Sequence, residues 1–178
     1  MNGKELYDDA SSGSGCKCSC DPMLEVIRGL DEPTILEIGV ARGLGMWRML
    51  TECPNIKRAF GIDPWCDGSK SDQILEARGV LSEWLGDKLS LVVDYSEHAA
   101  DMFPDGMFDY VFIDGDHGYD ACKRDIAMWL PKVKSGGILA GHDYKSGEPG
   151  VVDAVKEFIA ESGMKLIEAG GWVWYVIA

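Results

Sequence analysis

The chain has 178 residues, which is enough for one domain with a sizeable buried core. Thirty acidic and seventeen basic residues give a net charge of −13, so a nucleic-acid backbone is disfavoured as a partner because its phosphates would be repelled. No apolar run is as long as a membrane span and no signal peptide opens the sequence. We therefore expect a cytoplasmic protein with no membrane partner.

Residues 1–21 are predicted to be a flexible tail that precedes a single domain over residues 22–178. The tail has no apolar period, and its Ser/Gly run at 11–15 is typical of a linker. Cys16, Cys18 and Cys20 follow. Three close thiols could bind a soft metal, but a structural zinc site uses four ligands, so a mobile tail with free thiols is the favoured interpretation. The other three cysteines are scattered through the domain and are expected to be reduced.

Residues 35–45 form the segment around which the domain is organised, and a helix predicted over 22–30 precedes it. The apolar run at 35–38 predicts a buried parallel strand, and a helix begins at 44. The turn between them carries Gly39, Gly43 and Gly45, and the strand carries Glu37 two residues before the first glycine. Such a turn directs bare backbone N–H groups and the positive end of a helix at the polar end of a ligand.

The spacing in this segment distinguishes between classes of ligand. A dinucleotide site has the pattern G-x-G-x-x-G, whereas this segment reads E-x-G-x-x-x-G-x-G. An acid at this position suits a cationic group and would repel a pyrophosphate. The segment resembles the first motif of class I S-adenosylmethionine (SAM) methyltransferases. The resemblance implies that Glu37 lies near the methionine ammonium and that Gly39 and Gly43 belong to the cofactor site. An ordinary turn of an α/β protein remains the alternative.

Two further strands end beside candidate cofactor residues. The strand 58–63 ends in Asp63, which Pro64 follows, and Asp63 lies 18 residues after Gly45, where an α/β nucleotide site has a carboxylate for ribose hydroxyls. By resemblance Asp63 takes both hydroxyls of the SAM ribose; a plain turn before a proline is the alternative. The strand 89–94 then leads to three residues that lie where the family surrounds the adenine: Asp94, Tyr95 and Ser96.

The remaining elements complete an alternating pattern. A helix over 74–85 is predicted to start at a capping box of Ser69 and Asp72 and to end at Gly86. Helices over 96–103, 119–130 and 151–159 and strands over 108–114, 138–141, 165–168 and 172–177 follow, with Gly136-Gly137 turning the chain into the strand at 138. The pattern predicts an α/β, Rossmann-like fold with a seven-stranded, mostly parallel sheet, helices on both faces and a C-terminal antiparallel hairpin at Gly170-Gly171.

Two acidic segments follow neighbouring strands of this sheet: I-D-G-D-H at 113–117 and G-H-D-Y at 141–144. Carboxylates at adjacent strand ends repel each other unless a cation or proton lies between them, and oxygen ligands suit Mg²⁺, Mn²⁺ or Ca²⁺. The segments resemble the metal-dependent O-methyltransferases of the small macrocin-type and cephalosporin-hydroxylase-like group. The resemblance makes Asp114 and Asp143 metal ligands, with Asp114 also at the cofactor, and His117 the base. His142 stands where those relatives have Glu, and is a third candidate ligand, a second base or a hydrogen-bonding residue.

The leading hypothesis is therefore methyl transfer from SAM to a hydroxyl of a small molecule, such as a sugar or a natural product, with help from a divalent metal. The acceptor pocket is either open or completed by a partner subunit in a homo-oligomer, because only about thirty residues precede the first strand. A SAM-binding module without catalysis is the alternative of a different class. A nicotinamide-dependent oxidoreductase is disfavoured by the glycine spacing.

Overall fold

The computed structural model describes residues 21–66 and 72–178. Within them, strands and helices alternate up to the last two strands. The strands are β1 (Thr34–Ile38), β2 (Arg58–Asp63), β3 (Leu89–Val93), β4 (Phe108–Ile113), β5 (Val133–Gly141), β6 (Ile167–Gly170) and β7 (Val173–Ile177). The helices are α1 (Asp21–Arg28), α2 (Leu44–Glu52), α3 (Gln73–Val80), α4 (Ser96–Ala99), α5 (Tyr119–Trp129) and α6 (Pro149–Ser162), with 3₁₀ turns at Ala100–Met102 and Leu130–Lys132.

The seven strands form one sheet in the order β3-β2-β1-β4-β5-β7-β6. The pairs from β3 through β5 are parallel, and β7 runs antiparallel to both β5 and β6. The predicted fold class is confirmed. A parallel core with an antiparallel edge places the carboxyl ends of β1 to β5 along one edge of the sheet, which is where ligands of such folds bind.

Alternate residues of the central strands enter two separate hydrophobic clusters. Ile35 of β1 packs in a cluster with residues of α1, α2 and α3, whereas Leu36 and Ile38 pack in a second cluster with residues of α5 and α6. Since side chains of a strand alternate between the two faces of a sheet, the clusters lie on opposite faces. The central strands are mostly apolar because both of their faces are covered.

The fifth strand differs from its prediction. It begins at Val133, so Gly136 and Gly137 lie inside it and do not precede it. Phe108 pairs with Val133 and Tyr110 with Ile138, so the register against β4 shifts and the extra residues of β5 bulge. Gly136 takes a φ of 79° there, a conformation that glycine adopts at little cost.

Helix α3 also differs, because it ends at Val80 and does not continue to residue 85. Residues 81–84 form turns, and Gly86 donates to the carbonyl of Leu89. The apolar spacing continues past the helix because Leu81 and Trp84 still pack on the core. The predicted capping residue Ser69, residues 1–20 of the predicted tail and the Cys16, Cys18, Cys20 cluster lie outside the described residues, whereas Asp21 begins α1.

In the part of the chain that the structure describes, no helix has the length and apolar content required to cross a membrane. Cys53, Cys66 and Cys122 are free thiols.

Candidate active site

A cleft of about 700 Å³ lies at the carboxyl ends of the parallel strands. Six of the predicted cofactor residues line it, and so does the predicted base. They are Gly39, Asp63, Pro64, Tyr95, Ser96, Asp114 and His117. The topology explains this grouping, because β1, β2, β3 and β4 are parallel and all end at the same edge.

Gly39 allows the turn after β1 to pass against the end of β4. Its φ is 89°, and a Cβ at this position would overlap the carbonyl oxygen of Asp114. Gly39 also donates its N–H to the carbonyl of Ile62 at 2.8 Å, which extends the pairing of β1 with β2. Only glycine fits both the backbone conformation and the close approach. The base of the cleft therefore has no side chain at this point.

Asp63 connects the loop after β1 to the loop after β2. Its carboxylate accepts hydrogen bonds from the backbone N–H groups of Ala41 and Trp65, each at 2.8 Å. The indole Nε1–H of Trp65 donates to the carbonyl of Ala41 at 2.8 Å. Ala41 and Trp65 both have positive φ, at 48° and 41°, which these contacts hold in place. Each oxygen of a carboxylate can accept more than one hydrogen bond, so Asp63 retains acceptor capacity toward the cleft.

Three predicted cofactor residues do not line the cleft. Glu37 is only 3% exposed and lies against Gly45, where a Cβ would overlap its carboxylate. Gly43 packs on α3, because a Cβ there would lie 3.1 Å from the Cα of Ala77. Asp94 accepts the N–H of Tyr95 at 2.7 Å and pairs with His98 at 3.0 Å. The structure thus gives each of these residues contacts within the protein.

A cluster of two histidines, two aspartates and a lysine lies at the ends of β4 and β5. Asp143 is buried, with a φ of 58°. Its Oδ2 lies 3.0 Å from His117 Nε2 and 3.1 Å from His142 Nδ1, and its Oδ1 accepts a hydrogen bond from Lys145. His142 Nδ1 lies 3.6 Å from Asp114 Oδ1. Asp143 is therefore the centre of the cluster.

The pKa values of the two aspartates in this cluster are shifted in opposite directions. Desolvation by burial raises the pKa of Asp114 to about 6. The coulombic effect of His142 opposes this rise, and the charge of Asp143 reinforces it. Burial by itself would raise the pKa of Asp143, but the hydrogen bond from Lys145 and the nearby His142 lower it overall. At neutral pH the cluster therefore carries one firmly ionised carboxylate and one that gains a proton readily.

Asp114, His117 and Asp143 form a geometrically suitable group of metal ligands, since one ligand atom from each lies within 4.8 Å of the others. The two carboxylate oxygens suit Mg²⁺ or Mn²⁺, and the imidazole nitrogen makes the set better suited to a transition metal than to Mg²⁺. The sequence suggested His142 as one candidate ligand, with a second base or a hydrogen-bonding residue as its alternatives, and His117 as the base. The structure brings His117 into the group with the two acids, while His142 also lies near both. A nitrogen that binds a metal cannot at the same time accept a proton.

Asp125 also lines the cleft and was not among the site residues predicted from the sequence. Asp125 lies on α5, is only 6% exposed and accepts a hydrogen bond from the hydroxyl of Ser96. A signal was present: Asp125 shares the i, i+3, i+4, i+7 stripe of buried residues with Cys122, Ile126 and Trp129. Because acidic side chains are rarely buried without a partner, an acid in an otherwise apolar buried stripe indicates a specific role.

A family model described as "Methyltransferase domain" (Methyltransf_24) matches residues 36–144. This match covers more than half of the chain and includes most of β1, all of β2 to β5 and the cleft at their ends. An uncharacterized protein of Acanthamoeba polyphaga mimivirus is 30% identical over 152 residues, which cover 82% of this chain. The chain spans 65% of the length of that viral relative.

Solved structures with the same fold include two described as methyltransferases. A putative caffeoyl-CoA O-methyltransferase from Staphylococcus aureus superposes with a TM-score of 0.72 at 15% identity, covering 98% of this chain and 91% of that one. The methyltransferase PaMTH1 of Podospora anserina, bound to S-adenosylhomocysteine (SAH), gives a TM-score of 0.69 at 14% identity, covering 87% of this chain and 75% of that one. At such identities the likeness establishes the fold.

Proposed function

The chain belongs to the methyltransferase-domain family, as a class I SAM-dependent methyltransferase, and from this premise we propose that it methylates a hydroxyl oxygen of a small molecule with the help of a divalent cation. The observation that carries the proposal is the cleft itself. Asp63 and the Gly39 turn line it together with Asp114 and His117. A residue suited to a ribose and a residue suited to proton transfer thus face the same space.

The residues that would hold SAM are those that line the cleft after β1, β2 and β3. Asp63 would accept hydrogen bonds from ribose hydroxyls, and the Gly39 turn offers backbone without a side chain. Pro64 and Tyr95 supply apolar surface for a base. Bound SAM supplies an electrophilic methyl group on its sulfonium. The protein's contribution is to hold that group in line with the acceptor oxygen, since alignment accounts for much of the rate of such a transfer.

His117 would take the proton of the acceptor hydroxyl. It is 42% exposed, so a substrate can reach it, and both of its ring nitrogens face carboxylates. Asp143 lies 3.0 Å from Nε2 and Glu148 lies 3.6 Å from Nδ1. Carboxylates on both sides of an imidazole fix the orientation of its ring. The acids of the cluster therefore suit His117 to proton transfer.

A divalent cation would be held by Asp114 and Asp143, and the donor set fits one. Such a cation would lower the pKa of the acceptor hydroxyl and fix its oxygen. Lys145 already donates to Asp143 Oδ1, so its positive charge would oppose a cation at the same carboxylate. His117 is then either the third ligand or the base, and the two roles lead to different pH dependences of cation binding.

The acceptor is proposed to be a small hydroxylated molecule. The name of the Staphylococcus aureus structure, a putative caffeoyl-CoA O-methyltransferase, supports oxygen as the methylated atom. On the β6–β7 hairpin, Trp172 is 47% exposed and its ring lies 4.2 Å from Lys145 Nζ, which places an aromatic surface beside the aspartate cluster. This surface is suitable for stacking an aromatic or sugar ring of the acceptor. Among the described cysteines, Cys53, Cys66 and Cys122 are free thiols, which supports a reducing, cytoplasmic location.

The test is calorimetry of the purified protein with SAM, with SAH and with NADH, each with and without Mn²⁺, followed by transfer of a labelled methyl group to a panel of sugars and phenols. We expect SAM and SAH to bind, NADH not to bind, and at least one hydroxylated acceptor to be labelled. Binding of NADH in preference to SAM would overturn the proposal. Tight SAM binding with no transfer to any acceptor would favour a binding module without catalysis.

A further inference from the structure

Asp125 is a buried acid whose carboxyl reaches the cleft without a cationic partner. The hydroxyl of Ser96 donates to its Oδ1, and among the described residues it is the one hydrogen-bond donor to this carboxyl. The guanidinium next to it in sequence, that of Arg124, pairs instead with Glu97 at 2.9 Å. Oδ2 lies on the side of Gly115, where a Cβ would be 3.7 Å away. One oxygen of Asp125 is therefore left to accept a hydrogen bond from a ligand.

This arrangement costs stability. Burial raises the pKa of Asp125 to about 6, and the hydrogen bond from Ser96 and the charge of Arg124 only partly oppose that effect. A protein that needed only a helix contact at this position could use a neutral side chain, because an uncompensated carboxylate is expensive to bury. Buried acids of this kind in clefts commonly serve ligands.

The position of Asp125 indicates which part of the ligand it meets. Its Oδ1 bonds to Ser96, which follows β3 at the edge of the sheet. Its Oδ2 lies beside Gly115, in the loop after β4 that also carries Asp114 and His117. In the proposed function the sulfonium must lie at the β4 end, beside the acceptor oxygen. Asp63, after β2, would hold the ribose between the two ends. The base of the cofactor, which lies across the ribose from the sulfonium, then faces the Ser96–Asp125 pair.

We propose that Asp125 accepts a hydrogen bond from the 6-amino group of the cofactor's adenine, and thereby selects adenine over a 6-oxo purine. This proposal about the adenine rests on the proposed function, because it requires SAM to be the cofactor. The chemistry is complementary, because an amino group donates to a carboxylate oxygen, whereas the carbonyl of a 6-oxo purine would face that oxygen with like partial charge. Ser96 orients the carboxyl, and Asp125 contacts the ligand.

The experiment compares SAH with its deaminated analogue, S-inosylhomocysteine, by calorimetry on the full chain. The wild-type protein should bind SAH at least about tenfold more tightly, which is the value of one lost hydrogen bond to a charged group. In Asp125→Asn the preference should fall to about threefold or less, because an amide NH₂ can donate to the 6-oxo group. The matched control is Asp120→Asn, an exposed acid on the same helix, which should keep the wild-type preference.

The outcomes separate this inference from the proposed function. If the wild-type protein binds neither compound, the assignment of SAM as cofactor fails. If it binds both equally, or if Asp125→Asn weakens SAH but retains the full preference, the adenine contact is overturned; the second result would indicate a contact with the methionine ammonium. Asp125→Ser provides a second variant whose preference should also fall, and circular dichroism checks that each variant is folded.

Discussion

The carboxylate of Asp63 accepts a hydrogen bond at 2.8 Å from the backbone N–H of Ala41, 22 residues earlier in the chain. This contact joins the loop after β1 to the loop after β2. Trp65 completes the connection, since its indole donates to the carbonyl of Ala41. A ligand that bonds to Asp63 therefore meets a carboxylate that is already oriented, which lowers the entropy cost of binding.

Asp63→Ala should reduce the affinity for SAM at least tenfold, because each hydrogen bond from a hydroxyl to the carboxylate contributes about 1.5–3 kcal/mol. Calorimetry with SAH measures the loss. Asp94→Ala is the matched control: Asp94 does not line the cleft and bonds to Tyr95 and His98 instead, so its removal should change affinity much less. Equal losses in the two variants would contradict the assignment of Asp63 to the ribose.

The double variant Asp114→Ala, Asp143→Ala should lose measurable binding of Mn²⁺, since both carboxylates of the candidate ligand group are gone. Titration followed by electron paramagnetic resonance of free Mn²⁺ measures it. Asp105→Ala, an exposed acid that pairs with Lys132, is the control and should bind as the wild type does. Full methyl transfer by the double variant in EDTA would show that no cation is required.

Lys145→Gln should bind Mn²⁺ more tightly than the wild type. The ammonium of Lys145 bonds to Asp143 and competes with a cation for that carboxylate. The same Mn²⁺ titration tests this expectation. The control is Lys165→Gln, the same substitution made 20 residues further along the chain. Weaker binding in Lys145→Gln would mean that the lysine positions Asp143 for the cation and does not compete with it.

His117→Ala should slow methyl transfer by about 10²–10⁴-fold, the usual contribution of a general base. SAH affinity should stay near the wild-type value, because the ribose and base contacts are elsewhere in the cleft. His98→Ala, which changes an exposed histidine paired with Asp94, should leave turnover almost unaltered. If His117→Ala instead loses Mn²⁺ binding along with turnover, His117 is a metal ligand.

The stability of Asp125→Asn relative to the wild type should depend on pH. Because the folded-state pKa of Asp125 is raised from 3.8 to about 6, folding favours its protonated form, and its contribution to stability falls as pH rises from about 4 through 6. Arg124 opposes this effect, while Glu97 and Asp116 reinforce it. The variant should therefore match the wild type near pH 4 and exceed it above pH 7 by up to about 3 kcal/mol.

Urea unfolding at both pH values measures this difference, with Asp120→Asn as the exposed control. A difference between variant and wild type that is the same at pH 4 and pH 8 would show that Asp125 is ionised at little cost in the folded protein.

The strand ends could be predicted from the sequence because their signals are local. The apolar run of β1 with its glycine turn, and the acids at Asp63 and Asp114, lie within a few residues of the elements that they end. Alternation of strands and helices then determines a parallel sheet whose carboxyl ends share one edge. Six of the predicted cofactor residues consequently line one cleft.

Only the tertiary structure decided which of these residues face the cleft and which additional ones join them. Glu37 and Gly43 have the right spacing but pack against Gly45 and α3, and Asp125 meets Ser96 from a helix 29 residues further along the chain. The bulge at Gly136 likewise depends on pairing with β4. The physical reason is the same in each case. Sequence spacing fixes the periodicity of one element, whereas the direction of a side chain at a strand end is set by contacts with elements that only folding brings near.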